Sequence, residues 1–129
     1  MIRIQALGGL AARGDYGRPL SSAAAQPRRM ALLALLARAG DRGVTRERVL
    51  AMLWPDVDEA RARNNLAQAL YALRRDLGTD EAIAGTKELR LDAAHVETDV
   101  AEFCAAMRRG QEERAAALCA GPFLDGFHL

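Results

Sequence analysis

The sequence is poor in the residues from which disulfide frameworks and metal centres are built. It contains two cysteines, two histidines and a single lysine, and only 5% of its 129 residues are aromatic. Cys104 and Cys119 match no zinc-ligand spacing, and His95 and His128 stand alone in the sequence. A free cysteine in a reducing compartment behaves as a small apolar residue. We therefore expect both cysteines to be buried and unpaired, and we expect no metal and no cofactor.

Long apolar runs, a leader segment and the usual enzyme motifs are also missing. No apolar stretch reaches the roughly 18 residues of a membrane span. The first residues, MIRIQALGGL, lack the basic and apolar regions of a signal peptide. The patterns H-E-x-x-H, G-x-x-x-x-G-K-[ST] and G-x-S-x-G do not occur. The sequence predicts a cytoplasmic, nucleoid-associated protein that has no membrane partner and is not an enzyme.

Charge is nearly balanced over the whole chain but not along it. The net charge is +1, and 50% of the residues are hydrophobic, which is typical of a globular protein. Residues 1–78 carry a net charge of +6, whereas residues 79–129 carry a net charge of −5. A basic front and an acidic back suggest a part that faces nucleic acid or phosphate, joined to a second segment.

The first part of the chain predicts a small antiparallel sheet followed by two helices. IRIQAL alternates as a strand does, LAAR suggests a second strand, and RPL suggests a third beyond a GDYG turn. Helix one is predicted from Pro27, a favoured first-turn residue, to Gly40. Thr45 is expected to cap helix two, which Pro55 ends. Trp54, just before that proline, is expected to anchor the core.

The stretch ARARNNLAQALYALRRDLG predicts helix three, over residues 58–77. This helix is expected to begin at Asp56 or Asp58, because Asp56 and Glu59 have the spacing of a capping box. IAGTKELRLD then predicts a β-hairpin over residues 83–91. A fourth helix is expected to be capped by the motif Asp99-x-x-Glu102, and a fifth is expected in EERAAALCA.

This order of elements predicts an α+β fold of the winged helix-turn-helix type, followed by a short helical pair. We expect residues 1–97 to form a winged-helix DNA-binding domain and residues 98–129 to form a second segment. In winged helices the third helix enters the major groove, and the hairpin lies along the DNA backbone or in the minor groove.

The polar face of helix three has an unusual composition for a solvated surface. Its leucines recur every three or four residues and form one stripe, and the opposite side contains no acid. Arginine can bond guanine in bidentate fashion, and asparagine or glutamine can do the same to adenine. Tyrosine suits phosphate oxygens. The alternative is an ordinary exposed face. The predicted reading row is Arg61, Asn64, Gln68, Tyr71 and Arg75.

Further residues are candidates for contacts with DNA phosphates. Arg74 flanks the leucine stripe, and Arg46 begins helix two, where it could touch phosphate or pair with an acid. Thr86 and Lys87 lie at the hairpin tip and are either phosphate contacts or plain exposed turn residues. Arg28 and Arg29, at the start of helix one, are either phosphate contacts or simply exposed residues, and the sequence does not decide between the two.

Several segments together resemble one family of regulators. They are IRIQALGGL, QPRRMALLALLARAGDRGVTRERVLAMLWPDVDEARARNNLAQALYALRRDLG, GTKELRLD and GPFLDGFHL. The chain resembles the N-terminal part of SARP-type transcriptional activators, in which an OmpR/PhoB-like winged helix precedes a helical bacterial transcriptional activation domain. The resemblance implies binding to double-stranded promoter DNA, often at direct repeats, and it allows a homodimer on DNA. For the full-length family it implies recruitment of RNA polymerase.

The chain departs from that family at its end. The family's activation domain is a longer helical array, so residues 98–129 are expected to supply only its first helical pair. No receiver domain is recognisable, so control by phosphorylation is not expected. The alternative reading is a winged helix kept as a protein-interaction module of a larger signalling protein. The acidic helices of residues 99–119 would then be the working surface.

Overall fold

The computed structural model describes residues 1–14, 20, 26–119 and 121. Within these residues the chain forms two three-stranded sheets and five α-helices. In chain order the elements are β1 (Ile2–Gln5), β2 (Ala11–Arg13), α1 (Pro27–Ala39), β3 (Val44–Thr45), α2 (Arg46–Leu53), α3 (Glu59–Leu77), β4 (Ile83–Ala84), β5 (Glu88–Leu91), β6 (Val96–Thr98), α4 (Asp99–Arg108) and α5 (Glu112–Leu118).

The leucine stripe of α3 lies in the core, as its spacing predicted. Leu66, Leu73 and Leu77 are at most 2% exposed and pack in one cluster with the buried side of α1. Trp54 is 7% exposed and belongs to the same cluster, which confirms it as a core anchor. Burying a leucine side chain contributes roughly 1.5–3 kcal/mol. The stripe therefore fixes the rotation of α3 and turns its opposite face outward.

The predicted starts of α1 and α2 are correct, and α3 begins after Asp58, one of the two residues expected at its start. The Thr45 hydroxyl accepts a hydrogen bond from the Arg48 backbone N–H at 3.2 Å, as expected of an N-cap. For α3 the cap is Asp58, whose carboxylate accepts from the Arg61 N–H at 2.9 Å. Glu59 is then the first helical residue, so the capping box with Asp56 does not form. Glu59 instead pairs with Arg63 one turn later, at 2.6 Å.

The N-terminal sheet has the strand order β2-β1-β6. β1 and β2 are antiparallel, whereas β1 and β6 are parallel, so this sheet is mixed and not purely antiparallel. β6 was not predicted from the sequence, although Val96 and Thr98 are buried and Glu97 between them is exposed. Most of the expected RPL strand lies outside the described residues, and Leu20 is in no strand.

The hairpin predicted over residues 83–91 is confirmed, and it gains a partner strand. β4 and β5 pair antiparallel, and the short strand β3 pairs with the other edge of β5. Gly85 begins the turn with φ +104°. A Cβ at that position would overlap the Glu88 carbonyl oxygen, so the turn requires glycine. β3 thereby attaches this hairpin of residues 83–91, hereafter the wing, to the start of α2.

The turn between β5 and β6 is organised by Asp92. Its carboxylate accepts a hydrogen bond from the Ala94 N–H at 2.9 Å and lies 3.1 Å from the His95 ring. The hydrogen bond from the Ala94 backbone, and to a smaller extent the contact with His95, holds the pKa of Asp92 below its usual value. The other ring nitrogen of His95 lies 3.0 Å from Glu81. The sequence suggested that His95 is isolated, but the structure places it between two carboxylates. His128 lies outside the described residues.

α4 is attached to the N-terminal sheet through two acids. Thr98 and not Asp99 caps the helix, its hydroxyl accepting from the Ala101 N–H at 3.0 Å. Asp99 is 2% exposed, and its two carboxylate oxygens accept hydrogen bonds from the backbone N–H groups of Ala6 and Leu7, each at 2.9 Å. A hydrogen bond from Arg3 to Glu102 raises the pKa of Arg3. The expected boundary between residues 97 and 98 therefore falls inside β6, and the division into two domains stays a prediction.

The cysteines differ from expectation. Cys104 and Cys119 are both free, as expected, but both are exposed and not buried. Apart from Asp99, the buried positions of α4 and α5 are taken by alanines, Ala106 and Ala115. Among the described residues, no helix combines the length and the apolar character that crossing a membrane requires.

Candidate nucleic-acid interface

The predicted reading row lies on one exposed side of α3. All five of its side chains are exposed, and Tyr71 is 69% exposed despite its large ring. The Arg75 guanidinium lies over that ring, 5.9 Å from its centroid, and its Nε is 3.4 Å from Asp76. The structure therefore brings together the whole row of Arg61, Asn64, Gln68, Tyr71 and Arg75. Which of these side chains contact bases and which contact phosphates stays a prediction.

Arg46 is tied to the tip of the wing. Its backbone N–H donates to the Lys87 carbonyl at 2.9 Å, and its Nε donates to the Thr86 carbonyl. The side chains of Thr86 and Lys87 themselves are exposed at the tip. Arg46 therefore holds the turn against α2, and it keeps Thr86 and Lys87, the two candidate phosphate contacts, beside α3.

Arg74 is tied to the base of the wing. It is half-buried, and its Nη2 donates to the Ile83 carbonyl of β4 at 2.8 Å. Its Nε is buried and has no hydrogen-bond partner within the described part of the chain. The predicted contact between Arg74 and DNA is untested, but its hydrogen bond to Ile83 attaches the wing to the last turns of α3.

We expect Arg74→Met to loosen the wing in the free protein. Methionine keeps the length of the side chain but removes the donor to Ile83, and a hydrogen bond contributes about 0.5–1.5 kcal/mol. Amide hydrogen exchange over residues 83–91 should accelerate about tenfold or less, as measured by NMR without DNA. Arg75→Met, one residue along and outside this contact, should leave that exchange unchanged. Unchanged exchange in Arg74→Met together with weaker DNA binding would instead assign Arg74 to DNA.

A groove opens on each side of α3. At 100° per residue, Arg63 and Arg74 lie on one shoulder of the helix and Asn65 lies on the other. The wing-side groove runs between α2, α3 and the wing, and its lining includes Thr45, Arg46, Glu47, Arg63, Lys87 and Glu88. The α1-side groove runs between the first turn of α1 and α3, and its lining includes Gln26, Arg28, Arg29, Trp54, Asn65 and Gln68.

The two grooves differ in charge. The wing-side groove mixes three cations with the carboxylates of Glu47 and Glu88. The α1-side groove has two arginines and no acid among its described lining residues. The roles of Arg28 and Arg29 could not be predicted, because nothing in the local sequence pattern shows that the start of α1 lies beside α3. No group of three or more His, Cys, Asp or Glu side chains among the described residues could hold a metal ion.

Comparison with known proteins identifies the family. The family described as "Transcriptional regulatory protein, C terminal" matches residues 21–88, just over half of the chain. Among solved structures, Mycobacterium tuberculosis EmbR in complex with a low-affinity phosphopeptide matches with a TM-score of 0.71 and 24% sequence identity. The match covers 98% of this chain but 38% of EmbR, and at that identity it shows a shared fold. A search of curated proteins found no match.

The family match agrees with the geometry. Residues 21–88 include all of α1, α2 and α3 and the turn of the wing, which are the elements that carry the predicted reading row and its flanks. The prediction that the chain is not an enzyme is confirmed by this membership. The chain belongs to the family of C-terminal domains of transcriptional regulatory proteins, and it carries the OmpR/PhoB-type winged-helix DNA-binding domain of a transcriptional regulator.

Proposed function

We propose that this protein is a SARP-type transcriptional activator that binds promoter DNA in a sequence-specific manner. In this proposal α3 lies in the major groove and the hairpin of residues 83–91 is the wing that holds the backbone. The observation that carries the proposal is the exposed, acid-free row on α3, set between two grooves that both contain arginines. The motif-bearing segments of the sequence and the fold shared with EmbR support the SARP-type assignment.

The dimensions of α3 suit base reading. From Arg61 to Arg75 the row extends about 21 Å along the helix axis, which is the length of about six base pairs. The major groove is about 12 Å wide and admits an α-helix. Side chains at three- and four-residue spacing along one face can therefore reach several successive base pairs.

Residues 98–129 would have a different task. We infer that they are the first helices of a bacterial transcriptional activation domain, which in a longer regulator contributes to the recruitment of RNA polymerase. Asp99 and Glu102 attach α4 to β1 and its neighbouring loop. A partner bound to α4 would thus be held in a fixed orientation to the DNA-binding helices.

Selection of bound duplexes from random DNA tests the proposal. We expect enrichment of one motif, repeated in direct orientation, and an affinity that falls as salt rises from 50 to 200 mM. Each neutralised phosphate should contribute about 0.9 to the slope of log affinity against log salt. A folded protein that binds no duplex at 50 mM salt would contradict the proposal.

A protein-interaction module is the second candidate, and one observation favours it. Met52 on α2 and Met107 on α4 are 48% and 52% exposed, which leaves apolar surface outside the reading row. The same selection separates the two functions, because an interaction module would enrich no DNA sequence at any salt concentration.

A further inference from the structure

The α1-side groove has a lining suited to an anion. Arg28 and Arg29 supply two guanidinium groups, and Gln26, Asn65 and Gln68 supply three carboxamides. Guanidinium and carboxamide N–H groups are donors, and the described lining of this groove contains no carboxylate. Arg28 is exposed and makes no ion pair with any residue that the structure describes. Bonds from arginine to phosphate are charge-assisted and frequently bidentate.

The position of the groove indicates which anion it meets. Gln68 belongs both to the reading row and to the lining of this groove, so the two surfaces are continuous. The wing borders the opposite shoulder of α3. A helix in the major groove has one sugar-phosphate backbone along each of its sides. If the wing holds one backbone, the other backbone passes the α1-side groove.

We propose that Arg28 and Arg29 contact backbone phosphates of the DNA on the side of α3 away from the wing. This inference rests on the proposed function, in which α3 enters the major groove. The two arginines add affinity and fix the orientation of α3, and they read no bases themselves. Gln68 lies at the border between this groove, which contacts the DNA backbone, and the reading row, which contacts bases.

The double variant Arg28→Gln/Arg29→Gln tests the inference in the full chain. Glutamine keeps polarity but removes the charge. On the duplex obtained by selection, we expect about tenfold weaker binding at 100 mM salt and a salt slope reduced by about 1.8. The loss should be equal on matched and mismatched duplexes. Arg28→Lys/Arg29→Lys should recover most of the affinity, because a lysine also neutralises phosphate.

A second arginine pair provides the control. Arg108 and Arg109 are adjacent, exposed and at the end of α4. Arg108→Gln/Arg109→Gln removes the same charge and should change affinity by less than about twofold. Thermal unfolding of both variants establishes that each remains folded.

Neutral methylphosphonate linkages identify the source of the phosphate. Placed on the DNA backbone next to the α1-side groove, these linkages should weaken DNA binding by the wild-type protein about tenfold. They should not weaken binding by the Arg28→Gln/Arg29→Gln variant further. If the wild type binds no duplex, the proposed function fails. If the wild type binds and the variant keeps its salt slope, only this inference fails. Competition by inorganic phosphate, with no effect of the modified linkages, would also overturn it, because the groove would then bind a free anion.

Discussion

Arg75→Ala should weaken binding to the selected duplex by about 5- to 150-fold and relax the preference at one base pair. A bidentate contact between a side chain and a base is worth about 1–3 kcal/mol of discrimination. Arg75 is exposed in the reading row, and its guanidinium lies over the Tyr71 ring, which limits the directions in which it can point. The measurement is affinity on the selected duplex and on duplexes with single substitutions. Arg114→Ala, an exposed arginine of α5 outside the interface, is the matched control.

Gln68→Ala extends the same test to an uncharged member of the row. It should also lower affinity and relax base preference, but it should leave the salt slope unchanged because no charge is lost. For Arg75→Ala, an equal loss of affinity on all duplexes, with a salt slope reduced by about 0.9, would reassign Arg75 to phosphate contact. Unchanged affinity and unchanged preference in both variants would rule out α3 as the recognition helix.

Asp99→Ala should lower the free energy of unfolding by about 2–6 kcal/mol. The substitution leaves the N–H groups of Ala6 and Leu7 buried without an acceptor, and each such group costs about 1–3 kcal/mol. The whole stability of a small domain is only about 5–15 kcal/mol. The measurement is equilibrium unfolding in urea, followed by circular dichroism.

Two further variants separate the hydrogen bonds from general effects of the substitution. Asp99→Asn keeps one carbonyl oxygen as an acceptor, so its loss should be smaller than that of Asp99→Ala. Asp80→Ala removes an exposed aspartate and should change stability by less than about 0.5 kcal/mol. If the free energy of unfolding of Asp99→Ala lies within about 0.5 kcal/mol of the wild-type value, Asp99 does not hold α4 to the sheet.

Much of the site could be predicted because its signals are local. Helical periodicity alone separates the buried leucines of α3 from the exposed row, since both follow from 100° per residue. The Gly-Thr-Lys turn between alternating residues predicted the wing. The capping residue of α3 was harder, because Asp56 and Asp58 are both good caps and only the path of the chain after Pro55 chose Asp58.

The contacts that tie elements together were beyond the reach of sequence patterns. Arg46 and Arg74 bond to backbone carbonyls of the wing, and a carbonyl has no signature in the sequence. The predicted cap role of Asp99 was wrong because its carboxylate is taken by N–H groups 92 and 93 residues away. β6 was missed because three residues are too short for a clear alternation.

The sequence by itself determined which face of α3 is buried, which of its side chains are exposed, and where the helices and the wing lie along the chain. Periodicity and turn chemistry act between residues a few positions apart, so one chain segment contains the whole signal. Only the tertiary structure decided that Arg28 and Arg29 border α3, that Arg74 attaches the wing and that both cysteines are exposed. Those outcomes depend on hydrogen bonds and packing between distant segments, which form only when the core places these segments side by side.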